Sequence, residues 1–308
     1  MANRKDIKYI IKRKMNISPN NIIKNVVQQV NIDKLKVETT LSKRDIRSQN
    51  RTGLVTTNSS SVIGNFFNEN YNKITEVEYD IIICISSYNR YNKLLLMLNQ
   101  LYKQSTKYRF KIILNNDGST DNNYKSLPTI FPSLEITGSE INNGKTLYYK
   151  TISNMWGHAS KYISHGICHL DDDFILCSNF IDSVMNIFFE KKFDNNKTVS
   201  IYFHKTSKEN NNDIDLYRVD GGVLFDNNFI RLLEYKLNPP NHRFTINGIS
   251  SGVWRIISNH IKINGLNSHR TNISLIKHDG NEDSKMHYKH RIESPIYTYD
   301  FKDDINKK

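Results

Sequence analysis

Cysteine, long apolar runs and signal-peptide features are scarce in this 308-residue chain. Its three cysteines, Cys84, Cys168 and Cys177, are an odd number without a CxxC pair, which excludes a disulfide framework and a thiolate zinc site. No apolar run approaches the roughly 20 residues that a membrane-spanning helix needs. The residues after Met1 contain no apolar core of a secretory signal. These absences predict a protein of the reducing cytoplasm, with no transmembrane segment.

Positive charge is concentrated near the N-terminus. The chain holds 43 Lys and Arg against 31 Asp and Glu, a net charge of +12. Residues 1–75 contain 14 of the basic and five of the acidic residues, so this quarter of the chain alone carries +9. The separation favours a polyanionic partner, such as duplex DNA. Coding bias is the alternative, and it accounts for many lysines but less well for their separation from acids.

The pattern of apolar and polar residues changes near residue 76. Before it, Ser18 and Pro19 form a helix start, an apolar stripe follows over residues 22–30, and residues 39–62 have the polar composition of a linker. After it, buried strand patterns alternate with helical patterns. We therefore predict a basic, partly helical extension at 1–75 and a second domain at 76–308.

The alternation in the second domain is typical of an α/β sheet that is largely parallel. Strands are predicted at residues 80–86, 110–114, 134–136 and 166–170, with helices at 91–104, 146–160 and 178–191. In such sheets ligands bind beyond the carboxyl ends of the strands. The chemistry is therefore expected at residues 87–90, 115–121 and 171–173.

Three consecutive carboxylates, Asp171, Asp172 and Asp173, directly follow a predicted buried strand. Alternate residues of an extended segment point the same way, so Asp171 and Asp173 are expected to converge and to face solvent or a cation. Oxygen ligands of this kind suit Mg²⁺ or Mn²⁺. The alternative is a solvated acidic turn in front of the next helix.

Three further segments offer weaker signals. Asp117 lies in a glycine-containing turn after the second strand, where a carboxylate can accept a hydrogen bond from a base or ribose, although Asn-Asp-Gly-Ser is also ordinary turn chemistry. Residues 87–90 contain a tyrosine and an arginine that could meet a base or a phosphate. Residues 143–145, before a predicted helix, suit an anion.

Together and in this order, residues 81–90, 112–121, 142–144 and 170–173 resemble the GT-A fold of family 2 nucleotide-sugar glycosyltransferases. The resemblance covers residues 79–180 closely and the rest loosely. It implies a GT-A (Rossmann-like) α/β fold, with a mostly parallel sheet flanked by helices. The basic helical extension would precede that domain.

The resemblance also implies roles for individual residues. The nucleotide would be held by Ser87, Tyr88, Asn89, Arg90, Asp117, Asn143, Gly144, Lys145 and Asp172. The metal, Mn²⁺ or Mg²⁺, would be bound by Asp171 and Asp173 and would bridge the diphosphate. A late histidine often completes such sites, which makes His278, the first histidine after a strand predicted at residues 272–276, the candidate and His287 the next. The alternative is that both are surface histidines.

The second half departs from the family pattern. Residues 219–223 resemble the Gly-Gly strand start beside the acceptor site, but residues 247–255 contain no acid where a general base is expected. Inverting transfer needs a base. Either Asp220 or Asp283 supplies it, or the reaction retains configuration, or the protein binds without catalysis.

The resemblance favours a metal-dependent transferase that uses a UDP-linked sugar and a hydroxyl acceptor. One hypothesis places the acceptor in DNA, on a hydroxylated base, as in viral genome modification, with residues 1–75 binding phosphates. The alternative is glycan or glycolipid synthesis, with the basic region on anionic lipid or a partner. A third hypothesis is a non-catalytic nucleic-acid-binding protein with a transferase fold. Neither the sugar nor the acceptor follows from the sequence.

Overall fold

A computed structural model describes residues 76–194, 198–203, 215–216, 219–239 and 252–279. The predicted extension at 1–75, Asp283 and His287 lie outside these residues. Within them, no helix has both the length and the apolar character that crossing a bilayer requires.

The first half of the fold alternates strands and helices as predicted. Its strands are β1 (Tyr79–Ser87), β2 (Phe110–Asp117), β3 (Glu135–Ser139) and β4 (Ser164–Asp171). Its helices are α1 (Tyr91–Lys103), a 3₁₀ helix (Asn122–Ser126), α2 (Leu127–Ile130) and α3 (Tyr148–Ala159).

The second half is less regular. Its strands are β5 (Phe174–Leu176), β6 (Thr198–Tyr202), β7 (Asp215–Leu216), β8 (Val223–Asp226), β9 (Asn267–Arg270) and β10 (Ile276–His278). Its helices are α4 (Phe180–Asp194), α5 (Asn227–Leu232) and α6 (Val253–Ile263).

Eight of these strands form one sheet, in the order β3-β2-β1-β4-β8-β6-β9-β7. The strands from β3 to β4 are mutually parallel, whereas β8 runs antiparallel to both β4 and β6. A separate antiparallel pair joins β5 to β10. The mostly parallel sheet flanked by helices is confirmed.

The central strand β1 is buried on both faces, which explains its unbroken apolar sequence. Ile81, Ile83 and Ile85 face a core built with α1 and α4, and Ile82 and Cys84 face a second core built with α3 and α6. Cys168 on the neighbouring β4 is also fully buried. The two cores hold β1 and β4 rigidly, and these strands carry the site described next.

One predicted strand is misplaced. The apolar pattern suggested a strand over residues 272–276 with His278 just after it, but β10 begins at Ile276 and His278 is its last residue. Side chains in the preceding segment bond to nearby backbone: Thr271 donates to the Ile273 carbonyl and Ser274 to the Ile276 carbonyl. Such local bonds compete with strand pairing.

Candidate active site

The carboxyl ends of β1 and β4 lie side by side at the centre of the sheet, with Ser86 opposite Asp171. From β1 the chain first adds β2 and β3 on one side and then places β4 on the other. This reversal of strand order is where open α/β sheets bind ligands. The predicted carboxylate triplet, residues 171–173, therefore begins at this position.

Asp171, the last residue of β4, is the most accessible of the three carboxylates, with 34% of its side chain exposed. Its Oδ1 accepts hydrogen bonds from Ser86 Oγ at 3.3 Å and from Tyr148 at 3.1 Å, and it lies 3.4 Å from His169 Nε2. Burial opposes ionisation, but the hydrogen bond and charge of His169 hold the pKa of Asp171 below its usual value. Asp171 is thus oriented as an anion towards the open side of the site.

Asp172 and Asp173 are buried instead, with 5% and 3% of their side chains exposed, and share one cation. Arg90 Nη1 lies 3.1 Å from Asp172 Oδ1 and 2.6 Å from Asp173 Oδ2. Burial raises the pKa of Asp172 to about 7 although the Arg90 charge lowers it, and burial is also the main cause of a raised pKa for Asp173. Contrary to expectation, Asp173 therefore does not face solvent beside Asp171 but is buried in an ion pair with Arg90.

The residues around Asp173 have the chemistry of a divalent-cation site. His278 Nε2 lies 3.6 Å from Asp173 Oδ2, and no donor in the described part of the chain reaches the buried Oδ1. Carboxylate oxygens with an imidazole nitrogen suit Mn²⁺. However, no three His, Cys, Asp or Glu side chains among the described residues are grouped closely enough to hold a metal. A metal on Asp173 would have to compete with Arg90 for that carboxylate.

The loop after β1 is tied to the loop after β2. Asn89 has a left-handed backbone, with φ of 52°, and its N–H donates to Ser119 Oγ at 3.0 Å. Its side-chain Oδ1 accepts from the Thr120 N–H at 2.8 Å. Asn89, predicted to contact the nucleotide, therefore also links these two loops, whereas the neighbouring Tyr88 is 42% exposed beside them.

Asp117, at the end of β2, is buried and holds the segment that follows β3. Its Oδ1 accepts from Asn143 Nδ2 at 2.7 Å and from Ser139 Oγ at 3.1 Å, and its Oδ2 accepts from Asn142 Nδ2 at 3.0 Å. The next residue, Gly118, has φ of 73°, and a Cβ there would lie 2.4 Å from the Asn142 backbone nitrogen. Asp117 and Asn143, both predicted at the nucleotide, are thus in direct contact.

Gly144 and Lys145 continue from Asn143 towards α3. Gly144 has a left-handed backbone with φ of 59°, and burial lowers the pKa of Lys145. Helix α3 begins only at Tyr148, later than predicted, and Leu147 in front of it provides no side-chain cap. The predicted phosphate-binding segment is therefore a loop that Asp117 attaches to the end of β2.

The loop before β8 approaches the triplet from the other side. A Cβ at Gly221 would lie 2.8 Å from Asp171 Oδ2, so a larger residue there would displace the Asp171 carboxylate. The adjacent Asp220 is exposed, and its Oδ1 accepts from the Gly221 N–H. Of the two candidate bases, Asp220 thus lies at the edge of the site, next to Gly221. Asp283 lies outside the described residues.

Several site residues were not predicted from the sequence: Ser86, Tyr124, Tyr148, His169 and Trp254. His169 is two residues before Asp171 in β4, and its ring lies 5.0 Å from that of Trp254. The period of two along a strand could have placed His169 on the same face as Asp171. Nothing in the sequence connects that face with Tyr148 or Trp254.

The sequence matches one protein family, and the fold is similar to solved structures. The model of glycosyl transferase family 2 matches residues 82–195. No curated protein matches the sequence. Among solved structures, S. aureus TarS 1-349 is similar with a TM-score of 0.51 at 12% identity, over 66% of this chain and 61% of that one. The match thus spans less than two thirds of that protein.

Two further structures are more distant. TarS 1-349 of S. aureus in complex with UDP has a TM-score of 0.49 at 11% identity, over 64% of this chain and 59% of that one. Mannosyltransferase PcManGT from Pyrobaculum calidifontis, in complex with GDP-Man and Mn²⁺, has a TM-score of 0.44 at 12% identity, over 70% and 65%. The family match and the fold confirm the resemblance to GT-A glycosyltransferases of the family 2 type.

Proposed function

We propose that this chain, whose residues 82–195 form a family 2 glycosyltransferase domain, transfers a sugar from a nucleotide-sugar to a hydroxyl acceptor. The observation that carries the proposal is the carboxylate triplet at the ends of β1 and β4. It combines a partly exposed, ionised Asp171 with a buried pair, Asp172 and Asp173, held by Arg90. Such a site suits a diphosphate that arrives with a cation.

The nucleotide would lie across the loops that follow β1, β2 and β3. The exposed Tyr88 offers a ring to the base, and Asp117 with Asn143 forms the polar floor. Ser87 and Arg90, both in contact with Asp172, would lie on the side of the nucleotide next to the triplet. Gly144 and Lys145 would lie on its other side. We favour a uridine nucleotide because of the family resemblance.

A divalent cation, Mn²⁺ or Mg²⁺, would be held by Asp171, Asp173 and His278, which would have to draw closer together than they lie in the described structure. When bound it would supply Lewis-acid stabilisation of the departing diphosphate. The protein would prepare this position by keeping Asp171 ionised through His169 and by keeping Asp173 beside His278. Arg90, released from Asp173, would become available to a phosphate oxygen.

Asp220 is our candidate for the group that takes the proton from the acceptor hydroxyl. It is exposed, and its neighbour Gly221 lies against Asp171. Asp283 is the other candidate from the sequence. If neither is needed, the transfer retains configuration.

We propose duplex DNA carrying a hydroxylated base as the acceptor, because of the charge of residues 1–75. A segment with +9 supplies affinity for phosphates irrespective of sequence. Glycan or glycolipid synthesis is the alternative, and a protein without catalysis is the third possibility. Slow hydrolysis of UDP-sugar in the presence of Mn²⁺ would exclude the third, and a gel shift with duplex DNA separates the first two.

The donor is tested by thermal unfolding with a panel of nucleoside diphosphates, each with and without Mn²⁺. A ligand that binds only the folded protein raises its stability by RT ln(1 + [L]/Kd). We expect the largest rise in Tm for UDP with Mn²⁺. If none of the nucleotides raises the Tm, the proposed function is overturned.

A further inference from the structure

Tyr124 lies beneath the site and is connected to the carboxylate triplet by hydrogen bonds. It belongs to the 3₁₀ helix at Asn122–Ser126 and is 5% exposed. Its hydroxyl lies 2.5 Å from Ser87 Oγ and accepts the Arg90 backbone N–H at 3.1 Å. It therefore contacts both ends of the loop that follows β1.

The direction of these hydrogen bonds is determined by the number of protons available. When Asp172 is ionised, Ser87 Oγ donates its single hydrogen to Asp172 Oδ2 at 2.7 Å. Tyr124 must therefore donate its own hydrogen to Ser87 Oγ, while its oxygen accepts from Arg90. Each of these bonds then has one direction, and Ser119 in the loop after β2 is a further hydrogen-bond partner of the Tyr124 hydroxyl.

The chain of bonds closes on itself. It starts at the Arg90 backbone and passes through Tyr124 and Ser87 to Asp172, whose other oxygen contacts the Arg90 guanidinium. The same guanidinium nitrogen reaches Asp173. The backbone and the side chain of Arg90 are thus fixed through one circuit, in which the Tyr124 hydroxyl is the only member outside the β1 loop and the triplet.

The ring of Tyr124 is itself held in place. It packs edge-on against Tyr91, with ring centroids 5.9 Å apart. The Asp121 side chain accepts from the Asn123 N–H and so caps the short helix. Because the hydroxyl sits on this fixed base, its position determines where the β1 loop can place Arg90.

We infer that Tyr124 is a positioning residue, which sets Arg90 between Asp172 and Asp173 and thereby aligns the site for a nucleoside diphosphate. The second part of this inference rests on the proposed function. The first part concerns only the unliganded protein, so the two can be tested separately.

The test compares Tyr124→Phe with Tyr91→Phe. Both variants lose one hydroxyl from neighbouring rings, but the Tyr91 hydroxyl contacts Ser126 Oγ, outside the circuit. The first readout is the ¹⁵N NMR signal of the Arg90 guanidinium, assigned by its loss in Arg90→Lys. We expect slow exchange of its protons in the wild type and in Tyr91→Phe, and exchange at least tenfold faster in Tyr124→Phe. Unchanged exchange in Tyr124→Phe overturns the inference, whether or not the protein binds nucleotides.

The second readout is UDP binding by calorimetry in the presence of Mn²⁺. We expect affinity about tenfold weaker for Tyr124→Phe and within twofold of the wild type for Tyr91→Phe, since a lost hydrogen bond costs about that much. Ser87→Ala breaks the same circuit, so Tyr124→Phe should add little to it. Fully additive losses would overturn the inference. If the wild type binds no nucleotide, the proposed function fails and the NMR comparison still decides the role of Tyr124.

If Tyr124→Phe does not fold, Ser87→Ala provides the same NMR comparison. We expect it to free the Arg90 guanidinium as well, because it removes the next bond of the circuit. An Arg90 signal that stays protected in Ser87→Ala would show that the circuit does not hold the guanidinium.

Discussion

At the residue scale, the three adjacent carboxylates differ in environment, and so their removal should have different effects. Asp171 is partly exposed and accepts hydrogen bonds from neutral hydroxyls, whereas Asp173 is buried against Arg90. Removing the partner of a buried charge leaves that charge unpaired, which is costly. The triplet is therefore a set of distinct sites along one short segment.

Asp171→Ala and Asp173→Ala should both abolish transfer and Mn²⁺-dependent binding of UDP. We expect Asp171→Ala to leave the free energy of unfolding nearly unchanged, and Asp173→Ala to lower it by about 1–3 kcal/mol because Arg90 loses its closest partner. Denaturant unfolding and sugar-transfer assays measure the two effects. Asp182→Ala, in α4, is the control for the transfer and binding assays only, because Asp182 accepts a hydrogen bond from Thr106 that contributes to stability. Full activity in either site variant would refute the metal role.

Arg90→Gln should bind Mn²⁺ more tightly than the wild type in the absence of nucleotide. The guanidinium lies 2.6 Å from Asp173 and competes for the oxygen that a metal would use. Removing that positive charge should raise Mn²⁺ affinity on the order of tenfold, as measured by electron paramagnetic resonance of free Mn²⁺. Arg109→Gln, whose partner Asp80 is remote from the site, serves as the control. Unchanged or weaker Mn²⁺ binding would contradict a competition.

Asp117→Ala should weaken UDP binding by about 1–3 kcal/mol, the cost of losing a charge-assisted hydrogen bond, with or without metal. Because Asp117 also holds Asn142, the variant Asn142→Ala separates the two roles. If Asp117 contacts the base, Asn142→Ala should lose much less affinity in calorimetry. Equal losses would mean that Asp117 acts only by positioning the loop.

The position of the triplet was predictable, but its ion pair was not. An apolar run followed by three aspartates places the carboxylates at a strand end, whatever the details of packing. The contact of Arg90 with Asp173 joins residues 83 positions apart, and it depends on how the β1 loop is tied to the β2 loop through Asn89. Sequence periodicity contains no information about such contacts between loops.

At the scale of the elements, one carboxylate joins the edge strand β3 to α3 and to the turn between α3 and β4. Glu135, the first residue of β3, accepts hydrogen bonds from Tyr162 and lies 2.8 Å from His158 Nδ1. The Lys161 ammonium lies 3.4 Å away. Burial opposes ionisation, but the Tyr162 and His158 hydrogen bonds lower the pKa of Glu135. This contact fixes the end of β3 opposite to the site.

Glu135→Gln should therefore destabilise the fold in a pH-dependent way. A folded-state pKa below the usual 4.5 means that the stabilisation is present above about pH 4.5 and is lost as pH falls through the folded value. We expect a loss of about 1–2 kcal/mol at pH 7, allowing for the partial exposure of the cluster, and a smaller loss below pH 4. Urea unfolding at both pH values measures this. Glu140→Gln is the exposed control, and an equal loss at both pH values would contradict the charged contact.

The longest elements of the first half were predictable because their apolar residues follow a regular pattern. Helix α1 buries Leu94, Met97, Leu98 and Leu101 at helical spacing, and β1 and β2 each contain an apolar run, at residues 81–85 and 112–114. In the second half, β10 has three residues and takes its partner, β5, from a distant part of the chain. Pairing of such short strands is set by tertiary contacts, which explains the misplaced strand before His278.

At the scale of the whole molecule, the separation of charge between residues 1–75 and the rest bears on the acceptor. The family 2 match begins at residue 82, after the basic segment. Phosphate affinity and transfer chemistry would then reside in different parts of the chain. This division can be tested by truncation.

Deleting residues 1–75 should weaken binding to a random DNA duplex and preserve UDP binding. Each lost phosphate contact should reduce the slope of log K against log salt concentration by about 0.9. Fluorescence anisotropy at several salt concentrations, for the full and truncated chains, measures both quantities. Equal affinities and slopes would favour a glycan or glycolipid acceptor. An insoluble truncated protein would indicate that residues 22–30 pack against a core.

The buried cysteines of the two central strands can be used to measure how often these strands separate. Cys84 on β1 and Cys168 on β4 are fully buried, Cys177 is also buried, and burial raises the thiol pKa of Cys84 and Cys168. Alkylating reagents react with exposed thiolates, so labelling of these two thiols must wait until the strands separate. The rate of labelling therefore measures how often β1 and β4 separate. A dye on a cysteine placed at the exposed Ile141 would report separately on the loop beside the site.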